Sequence, residues 1–588
     1  MRRSFSLAPL TLLIGATALG CGASKSPDNG GDCLGSDCPG MDGGTSGDAP
    51  SSGFDVAGDG NPDGGLVFQD ITLTPSNATI YIDTATTPAT PATQAYTATL
   101  NLTGGGTKDV TSSVVLSVED PSLGKFTGNT FTSVNKLPGT ATGVTTVVHG
   151  SAETKQGSAN LTIVALRKTG DHRDFFFVEP YKAPPTPDRD VLKFGTNIKQ
   201  VDVAFSVDTT GSMGSSISNL KTSLSSTIIP AIAKAIPSVG IGVAYHDDYP
   251  YGGHGSAPCG GGSLPGDVPE GTITVVTADV PTAQAAANKL ETHCGSDEPE
   301  AQIPSMFQIV TGKGLTWPGG SVAPHTPAPG TTGGMDFRAG SLPVVVEITD
   351  AHWHDPTFDP YTDIPGAPEL VKDLEPAFKA LNAKFIGVKD IHYATPEDQE
   401  NMLSDATGSA VPPDAFGGSC GAGSCCTGNG GAGRAPSGPG GTCRLVFDIT
   451  DGTGLGDSIV KAIQAISVGS TFDVTAVASN DPANADAVDA TKFIKALRAM
   501  DEGSPKDGCP AHAAKDTNGD GFKDTFLTVV VGTPVCFEVL PQENTTVPPK
   551  KIAQFFNAFI DVLGMPGAVK LDRRDVLFLV PPKEIAAK

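Results

Sequence analysis

The sequence predicts a multidomain chain in which a doubly wound, Rossmann-like α/β domain is flanked by an N-terminal β-sandwich and a C-terminal β-rich domain. Three observations support this fold class. At 588 residues the chain exceeds the size at which one hydrophobic core keeps growing. Its middle part alternates continuously apolar strands with helical patterns, which is typical of a parallel sheet covered on both faces. The parts before and after it show short segments of alternating polarity, which predict antiparallel β structure.

Residues 1–20 have the pattern of a secretory signal peptide. A basic start precedes the apolar stretch Phe5–Leu19, which is too short to span a membrane. The segment Ala18–Cys21 resembles a bacterial lipobox, which implies that Cys21 becomes the lipidated first residue. The alternative is an ordinary cleaved signal with Cys21 free or paired. Gly22 is not the aspartate that retains many lipoproteins at the inner membrane, so we expect a lipid-anchored outer-membrane protein with its globular part exported.

Residues 21–66 consist mainly of Gly, Asp, Ser and Pro, which predicts a disordered tether. Residues 67–168 then show short alternating segments separated by turn residues, which predicts a β-sandwich. Within them, TLTPSNATI and ANLTIV resemble segments of bacterial immunoglobulin-like domains. That resemblance implies a spacer, and no binding residue is assigned to it.

The α/β domain is expected over residues 175–470. In its first helix, Ile217, Leu220 and Leu224 fall on one face, as a helix that covers a sheet requires. Two Gly-rich, Cys-bearing segments at about 249–270 and 412–443 are expected to decorate the fold. Strands are predicted at Gln200–Asp208, Val239–Asp247, Thr272–Thr277, Leu342–Asp350, Lys384–Val388 and Arg444–Ile449, with helices at about 214–236, 281–294, 298–311, 366–382, 395–407 and 455–467.

The loop after the first of these strands carries Asp208, Thr210 and Ser212 at alternate positions. A carboxylate followed by two hydroxyls suits a hard divalent cation, because Mg²⁺ and Ca²⁺ take oxygen ligands. The alternative is a helix N-cap, for which Asp and Ser are equally suited. Glu300 opens a later helical pattern, and Asp350 ends another apolar strand. The oxygen-bearing loops are therefore expected at the edge of the sheet where open α/β folds bind ligands.

The spacing D-x-[ST]-x-S and these two acidic positions resemble the metal-ion-dependent adhesion site (MIDAS) of the von Willebrand factor A family. The similarity is greatest to the integrin β I-like domain, through D-x-P-E at Asp297–Glu300 and T-D-A at Thr349–Ala351. Where integrins carry a paired acidic motif for an adjacent regulatory cation, this chain has Ser215 and Ser216, so that second site is not expected. Asp297 could still serve an extra calcium near Glu300. The resemblance implies that Mg²⁺ or Mn²⁺ is held by Asp208, Thr210, Ser212, Glu300 and Asp350.

The same resemblance implies a protein-binding function, in which the cation accepts an acidic group of a partner protein. The formal charge of −25 argues against nucleic-acid binding. No serine-hydrolase or zinc-protease motif is present, so the chain is not expected to be an enzyme. Two alternatives remain open: a metal-dependent envelope hydrolase, and an envelope scaffold with a non-functional metal site. His352, Trp353 and His354 are expected at the rim of the ligand face, with a catalytic zinc as the alternative.

Eleven cysteines leave ten once Cys21 is set aside, and an even number in an exported protein predicts disulfides. The four cysteines between residues 420 and 443 are expected to pair among themselves, with a zinc site as the alternative. The other candidate pairs are Cys33 with Cys38, Cys259 with Cys294, and Cys509 with Cys536.

Residues 471–588 return to β patterning, with one helix predicted over Pro549–Leu563. A loop in this region places oxygen donors at alternate positions with a glycine after the third, which lets a short loop curl around one Ca²⁺. Position twelve is Leu527 rather than Glu, so a full EF-hand is excluded. An Asx-rich turn without metal is the alternative. The expected calcium ligands are Asp516, Asn518, Asp520 and Asp524.

Overall fold

The computed structural model describes residues 68–170, 172–256, 266–392 and 396–583. Within them the chain is strand-rich and multidomain, as the sequence predicts. In this described part, no helix combines the length and the apolar character that crossing a membrane requires. The predicted signal peptide, Cys21, the tether and Cys259 lie outside the described residues.

The N-terminal region is built from short strands around one core. The side chains of Tyr96, Phe131 and Leu161 are fully buried at its centre. The alternating pattern of the sequence therefore forms β structure here, and the immunoglobulin-like identity stays a prediction. The strands form three sheets: Phe68–Thr74, Thr97–Leu102 and Thr107–Asp109; Asn77–Asp83, Lys155–Leu166, Gly143–Ala152 and Val115–Val118; and Thr93–Ala95, Thr130–Ser133 and Gly124–Thr127.

A mixed sheet of six strands forms the middle of the chain, in the order β3-β2-β1-β4-β5-β6. All neighbours pair in parallel except β2 and β3, which are antiparallel. Strand β1, in which all residues after Gln200 are buried, lies at the centre of the sheet. The strands are β1 Gln200–Asp208, β2 Ser238–His246, β3 Gly271–Thr277, β4 Leu342–Thr349, β5 Lys384–Asp390 and β6 Val446–Ile449.

Helices cover both faces of this sheet. Successive residues of a strand point to opposite faces. Val203 of β1 belongs to the apolar cluster that contains Ile217, whereas its neighbour Ala204 belongs to the cluster that contains Ile303. Each face therefore buries its own core. The helices are α1 Gly214–Ser223, α2 Ile229–Ala235, α3 Val280–Ala287, α4 Gln302–Thr311, α5 Glu375–Leu381, α6 Glu397–Ala406 and α7 Leu455–Gly469, with π-helical turns at Leu224–Ile228 and Leu370–Leu374.

The C-terminal region recruits two strands that precede the α/β sheet in sequence. Phe175–Val178 pairs with Val569–Val580, and Asp190–Phe194 pairs with Val535–Pro541. The structure therefore places these two strands in the C-terminal sheets, although the predicted α/β domain begins at residue 175. Their partners are remote in sequence, so no local pattern indicates this pairing. The full sheets are Phe175–Val178, Val569–Val580, Gln554–Met565, Thr471–Asn480, Thr525–Val530 and Ala514–Lys515; and Asp190–Phe194, Val535–Pro541 and Ile494–Ala499.

The helix predicted over Pro549–Leu563 is wrong, because this segment forms the strand Gln554–Met565. Its side chains alternate between buried and half-buried positions along most of the strand, which is the period of two of a β-strand. It is paired on both sides, by Thr471–Asn480 and Val569–Val580. The run of Phe, Ile, Val and Leu is compatible with a helix or a strand when read alone. Pairing with the two neighbouring strands makes it a strand.

Three predicted or permitted disulfides occur among the described residues, whereas the predicted pairs Cys33–Cys38 and Cys259–Cys294 include residues outside them. Cys509 is bonded to Cys536, and the cluster between residues 420 and 443 contains the bonds Cys420–Cys426 and Cys425–Cys443. These bonds use all four cysteines of that cluster, so the alternative of a zinc site there is wrong. Cys294 is disulfide-bonded. Short ribbons decorate this part of the chain: Leu315–Trp317 with Gly320–Val322, Thr331–Thr332 with Phe337–Arg338, Ala410–Val411 with Cys443–Arg444, and Cys425–Gly428 with Ala432–Arg434.

Candidate metal-binding site

The ends of two neighbouring parallel strands bring the predicted loops to one edge of the sheet. Strand β1 ends at Asp208, and β4 ends at Thr349, directly before Asp350. Val207 pairs with Ile348 in parallel register, so both strands end at the same level. Asp208 and Asp350 are both buried at this carboxyl edge, which is where open α/β sheets bind ligands.

Three hydrogen bonds hold the Asp208 carboxylate in place. Its Oδ1 accepts from the backbone N–H and the hydroxyl of Thr210, at 2.9 and 2.7 Å. Its Oδ2 accepts from the hydroxyl of Thr349 at 2.7 Å. Burial raises the pKa of Asp208 to about 7; the charge of Asp350 adds to the rise, and the hydrogen bonds oppose it. Neutral donors therefore hold the Asp208 carboxylate in place. The charged group that affects its pKa is another carboxylate, that of Asp350.

A hydrogen bond also joins the first loop to the third. The Ser212 hydroxyl donates to Oδ1 of Asp350 at 2.9 Å. Burial raises the pKa of Asp350 to about 6, against the effect of the Ser212 bond. Ser212 itself is exposed, so the site reaches solvent at this end.

Glu300 reaches the same place from the segment before α4. Its backbone N–H donates to the carbonyl of His352 at 3.0 Å, which fixes this segment beside the loop that follows β4. The residue is 3% exposed, and its Oε2 has no hydrogen-bond partner among the described residues. Burial raises the pKa of Glu300 well above its usual range, and the charges of nearby carboxylates, Asp208 foremost, raise it further.

Gly295 allows Glu300 and the first loop to approach each other. Its φ of 73° lies in the left-handed region that glycine adopts without strain. A Cβ at this position would lie 3.0 Å from Oε1 of Glu300 and 3.2 Å from Cβ of Thr210. The Glu300 carboxylate and Thr210 thus both pack against Gly295, and a larger residue would push them apart.

The five residues fit a hard divalent cation in their chemistry. They offer only hydroxyl and carboxylate oxygens, which Mg²⁺, Mn²⁺ and Ca²⁺ prefer. Buried carboxylates that raise one another's pKa are costly unless a proton or a cation compensates them. Among the described residues, Asp208, Glu300 and Asp350 do not form a set whose ligand atoms all lie within 4.8 Å of one another. The three carboxylates therefore do not converge on one point here. An Mg²⁺ ion, which keeps several waters, would contact part of the set directly and the rest through water.

Two of the three residues expected at the rim of the ligand face are buried instead. Trp353 is fully buried and packs edge-on against Phe385, and His354 is 1% exposed. Only His352 is partly exposed, stacking on Phe358 with ring centroids 4.3 Å apart. The prediction is therefore wrong for Trp353 and His354, because the bridge between Glu300 and Trp353 draws this loop into the fold.

A second group of side chains lies next to Glu300, and the sequence singles out only two of its members, Asp297 as a ligand of an extra calcium and His354 with zinc as the alternative. Asp248, His254, Asp297 and His354 place their ligand atoms within 4.8 Å of one another. His254 lies in a Gly-rich loop without a recognisable motif, and Asp248 follows β2 as one of two adjacent aspartates. The sequence pattern that could have predicted this group is that all four residues follow a strand or precede a helix at the same edge of the sheet.

The C-terminal loop, which contains Asp516, Asn518, Asp520 and Asp524, satisfies its own acidic groups. Asp516 accepts from the N–H groups of Gly519 and Gly521 at 2.7 and 3.0 Å. The Asp524 carboxylate accepts from the backbone N–H and the hydroxyl of Thr517, at 3.2 and 2.6 Å. Among the described residues, the three aspartates of this loop are not a set with ligand atoms within 4.8 Å. The hydrogen bonds are those of an Asx-rich turn, and the calcium site stays a prediction.

Comparisons with known proteins identify no family for this chain. No family model matches it, and no curated protein matches it. Among solved structures, the pilus adhesin SpaC from Lactobacillus rhamnosus GG is 12% identical over 70% of this chain and 48% of its own, with a TM-score of 0.25. Proximal thread matrix protein 1 from the mussel byssus is 10% identical over 49% of this chain and 51% of its own, also with a TM-score of 0.25. This chain thus spans about half the length of each, and neither TM-score supports a shared fold or function.

Proposed function

We propose that this protein is a surface-anchored binding protein whose α/β region is a doubly wound von Willebrand factor A-type domain. In this proposal a divalent cation lies at the carboxyl edge of β1 and β4 and accepts an acidic group of a partner protein. Asp208, Thr210, Ser212, Glu300 and Asp350 hold the cation, which is Mg²⁺ or Mn²⁺. The chain would act by cation-dependent adhesion and not as an enzyme.

The observation that carries the proposal is the meeting of three loops that are separate in sequence and carry the expected oxygen donors. Ser212 of the first loop bonds Asp350 of the third at 2.9 Å, and Gly295 packs against both Thr210 and the Glu300 carboxylate. The partnerless Oε2 of Glu300 gives this cluster a buried oxygen without a donor in the described chain. A bound cation would supply what that oxygen lacks, since buried polar groups are rarely left unsatisfied.

The opening at Ser212 supports access by a protein partner. Ser212 is exposed, whereas Asp208, Thr210 and Glu300 are buried. A cation held among them would therefore keep its free coordination position toward solvent on the Ser212 side. A carboxylate is the expected ligand for that position, because hard cations prefer charged oxygen.

The proposed setting rests on the N-terminal sequence. The lipobox-like segment that ends at Cys21 supports a lipid anchor in the outer membrane, and residues 21–66 would act as the tether. The β-sandwich that follows would serve as a bacterial immunoglobulin-like spacer. The membrane would be contacted through the lipid alone.

Two serine substitutions test the metal site. Ser212→Ala removes the hydroxyl that bonds Asp350, and we expect it to weaken Mn²⁺ binding by at least about tenfold, measured by electron paramagnetic resonance. Ser216→Ala is the matched control, because the Ser216 hydroxyl makes the same kind of bond to Asp390, also at 2.9 Å, outside the proposed ligand set. Equal Mn²⁺ affinity in both variants and the parent would contradict the proposed ligand set.

A small carboxylate tests the open coordination position. With Mn²⁺ bound, acetate should displace metal-bound water and lower the water-proton relaxation enhancement of the complex. Acetamide, which has similar size and no charge, should leave that enhancement unchanged. The same response to both molecules would contradict a site that selects an acidic group.

A further inference from the structure

We propose that Asp248, His254, Asp297 and His354 form a second metal site, which binds a transition-metal ion of the Zn²⁺ class. This site is separate from the oxygen-ligand site of the proposed function and does not depend on it. The four ligand atoms lie within 4.8 Å of one another, and they come from three segments of the chain: the loop after β2, the segment before α4 and the loop after β4.

The distances within the group suit a tetrahedral ion. His354 Nε2 lies 3.2 Å from Asp248 Oδ2 and 3.5 Å from Asp297 Oδ2, and His254 Nδ1 lies 3.2 Å from the same Asp297 oxygen. Nitrogen and oxygen ligands at the usual Zn²⁺ distances are separated by roughly 3.3–3.4 Å in a tetrahedron. The side chains therefore need little movement to share one ion.

Both imidazoles are oriented as metal ligands are. The Nδ1 of His354 is hydrogen-bonded to the carbonyl of Asp359, and that carbonyl can only accept. Nδ1 is therefore the donor, which leaves Nε2 facing the two carboxylates. Burial opposes the charge on the ring, but hydrogen bonds to Asp248 and Asp297 raise the pKa of His354 to about 10, so a metal ion at Nε2 would replace a proton. The Nε2 of His254 is likewise tied to Asp363 at 2.9 Å, which leaves Nδ1 facing Asp297. An outer nitrogen bound to an oxygen acceptor is the arrangement that fixes the tautomer of a metal-binding histidine.

Independent support comes from polar atoms in the group that have no hydrogen-bond partner outside it. Asp248 Oδ1 accepts from the hydroxyl of Tyr361, whereas its Oδ2 faces His354 Nε2 and makes no hydrogen bond to a described residue outside the group. His354 Nε2 and Asp297 Oδ1 likewise make no hydrogen bond to a described residue outside the group. Asp248 and His354 have fully buried side chains, so water cannot satisfy these atoms from bulk solvent. A cation between them would satisfy both, because each of the two atoms can donate a lone pair.

The donor set selects the type of metal. Two imidazole nitrogens disfavour Ca²⁺ and Mg²⁺, which take oxygen ligands, and favour Zn²⁺ or a similar ion. Four protein ligands also leave no open position, which is typical of a structural site and not of a catalytic one. The ion would tie the loop after β2 and the segment before α4 to the loop after β4, beside the proposed adhesion site.

The test measures metal binding by the full chain after removal of metals with a chelator. We expect one equivalent of Zn²⁺ per chain, and X-ray absorption of the loaded protein should show two imidazole ligands. His354→Ala and His254→Ala should each weaken Zn²⁺ binding by about 10- to 100-fold or more. His254→Ala also serves where burial of His354 prevents its variant from folding, because the His254 side chain is more exposed, at 14%.

Two controls separate this site from others. His325→Ala removes a histidine that pairs with Asp336 at 3.0 Å outside the proposed ligand group, and it should leave Zn²⁺ binding unchanged. Asp208→Ala should abolish Mn²⁺ binding at the first site and leave Zn²⁺ binding intact, so failure of one proposal is distinguishable from failure of the other. No bound Zn²⁺, a metal without imidazole ligands, or unchanged affinity in His254→Ala would each overturn the inference. Loss of Zn²⁺ in His293→Ala instead would overturn it too, by assigning the ion to the neighbouring group of Asp247, Asp267 and His293.

Discussion

The carboxylates at the edge of the α/β sheet and those of the C-terminal loop offer the same oxygen chemistry but differ in what balances their charge. Glu300 is buried, its Oε2 lacks a partner in the described chain, and its pKa is raised well above its usual range by burial and by other carboxylates. Asp516 is exposed, and hydrogen bonds from backbone N–H groups, that of Gly519 foremost, lower its pKa. In the first arrangement a buried oxygen lacks a donor in the described chain, whereas in the second the backbone supplies donors to the carboxylate.

The comparison shows that the identity of the donors alone does not define a metal site. Both places have several oxygen donors at a suitable sequence spacing. In the C-terminal loop the backbone turns back onto its own carboxylates, as Asp and Asn favour in turns. At the sheet edge the donors come from loops that are remote in sequence, so carboxylates lie near one another, and the backbone bond from Thr210 to Asp208 does not offset their mutual repulsion.

The largest expected effect is on the sheet edge, through Glu300→Gln. Without added metal, we expect this variant to be at least as stable as the parent, because it replaces a buried carboxylate by a neutral group of the same shape. With Mn²⁺ at 100 times its dissociation constant, the parent should gain about 2.7 kcal/mol, and the variant should gain much less. Hydrogen exchange in β1 and β4 measures both effects. A variant that gains as much as the parent would break the comparison, because Glu300 would then not contact the ion.

The sequence predicted much of this edge because the relevant signals are local. Asp208, Thr210 and Ser212 follow a buried strand within five positions, and Asp350 directly follows another, so strand ends place them without knowledge of the tertiary fold. The group of Asp248, His254, Asp297 and His354 could not be assembled from the sequence, because no local pattern connects its members. His254 lies in a Gly-rich loop, and only the folded chain brings it beside His354.

The same limit explains the errors in the fold. The sequence predicts that Phe175–Val178 belongs to the α/β region, but its partner is Val569–Val580 at the far end of the chain. Gln554–Met565 carries aromatic and aliphatic residues that fit a helix until two flanking strands are known. The local sequence pattern predicts that an apolar element is present. Whether it is a helix or a strand, and to which domain it belongs, depends on the strands with which it pairs.

A smaller effect is expected at Glu179, where the effect of burial on a carboxylate can be measured without the effect of neighbouring carboxylates. Glu179 is fully buried and neither carboxylate oxygen has a hydrogen-bond partner in the described chain, but burial alone raises its pKa, to about 8. No other carboxylate contributes, so this group should be balanced by a proton and not by a metal. The folded chain binds that proton more tightly than the unfolded chain. Its contribution to stability is therefore greatest below the ordinary pKa of 4.5 and is lost as the pH rises through about 8.

Glu179→Gln should remove this dependence, so that the thermal midpoint falls less between pH 5 and pH 8 than in the parent. Glu543→Gln is the matched control, because Glu543 is exposed and adjacent to Asn544, whose side chain donates to the Glu179 carbonyl. Both variants should be unaffected by Mn²⁺. The same pH dependence in the parent and in Glu179→Gln would show that the carboxyl is not protonated in the fold.

The smallest effect is expected at the C-terminal loop, where we propose that Ca²⁺ is held by Asp516, Asn518, Asp520 and Asp524. An ion there must replace hydrogen bonds that the loop already makes, such as the 2.8 Å bond from the N–H of Phe522 to Asp520. The net gain from Ca²⁺ should therefore be only about 1 kcal/mol, comparable to a single hydrogen bond. Asp520→Ala should remove this gain, measured as the calcium-dependent shift of the thermal midpoint.

Asp109→Ala is the control for loss of the turn itself, because Asp109 accepts from the N–H of Thr111 at 2.8 Å without any proposed metal. Both variants should lose a similar amount of stability without Ca²⁺, and only Asp520→Ala should lose the response to it. If Ca²⁺ stabilises the parent as strongly as Mn²⁺ is expected to at the sheet edge, a carboxylate satisfied by its own backbone can still be a strong ligand. The two regions would then differ in how well they fold without the ion, and not in how tightly they bind it.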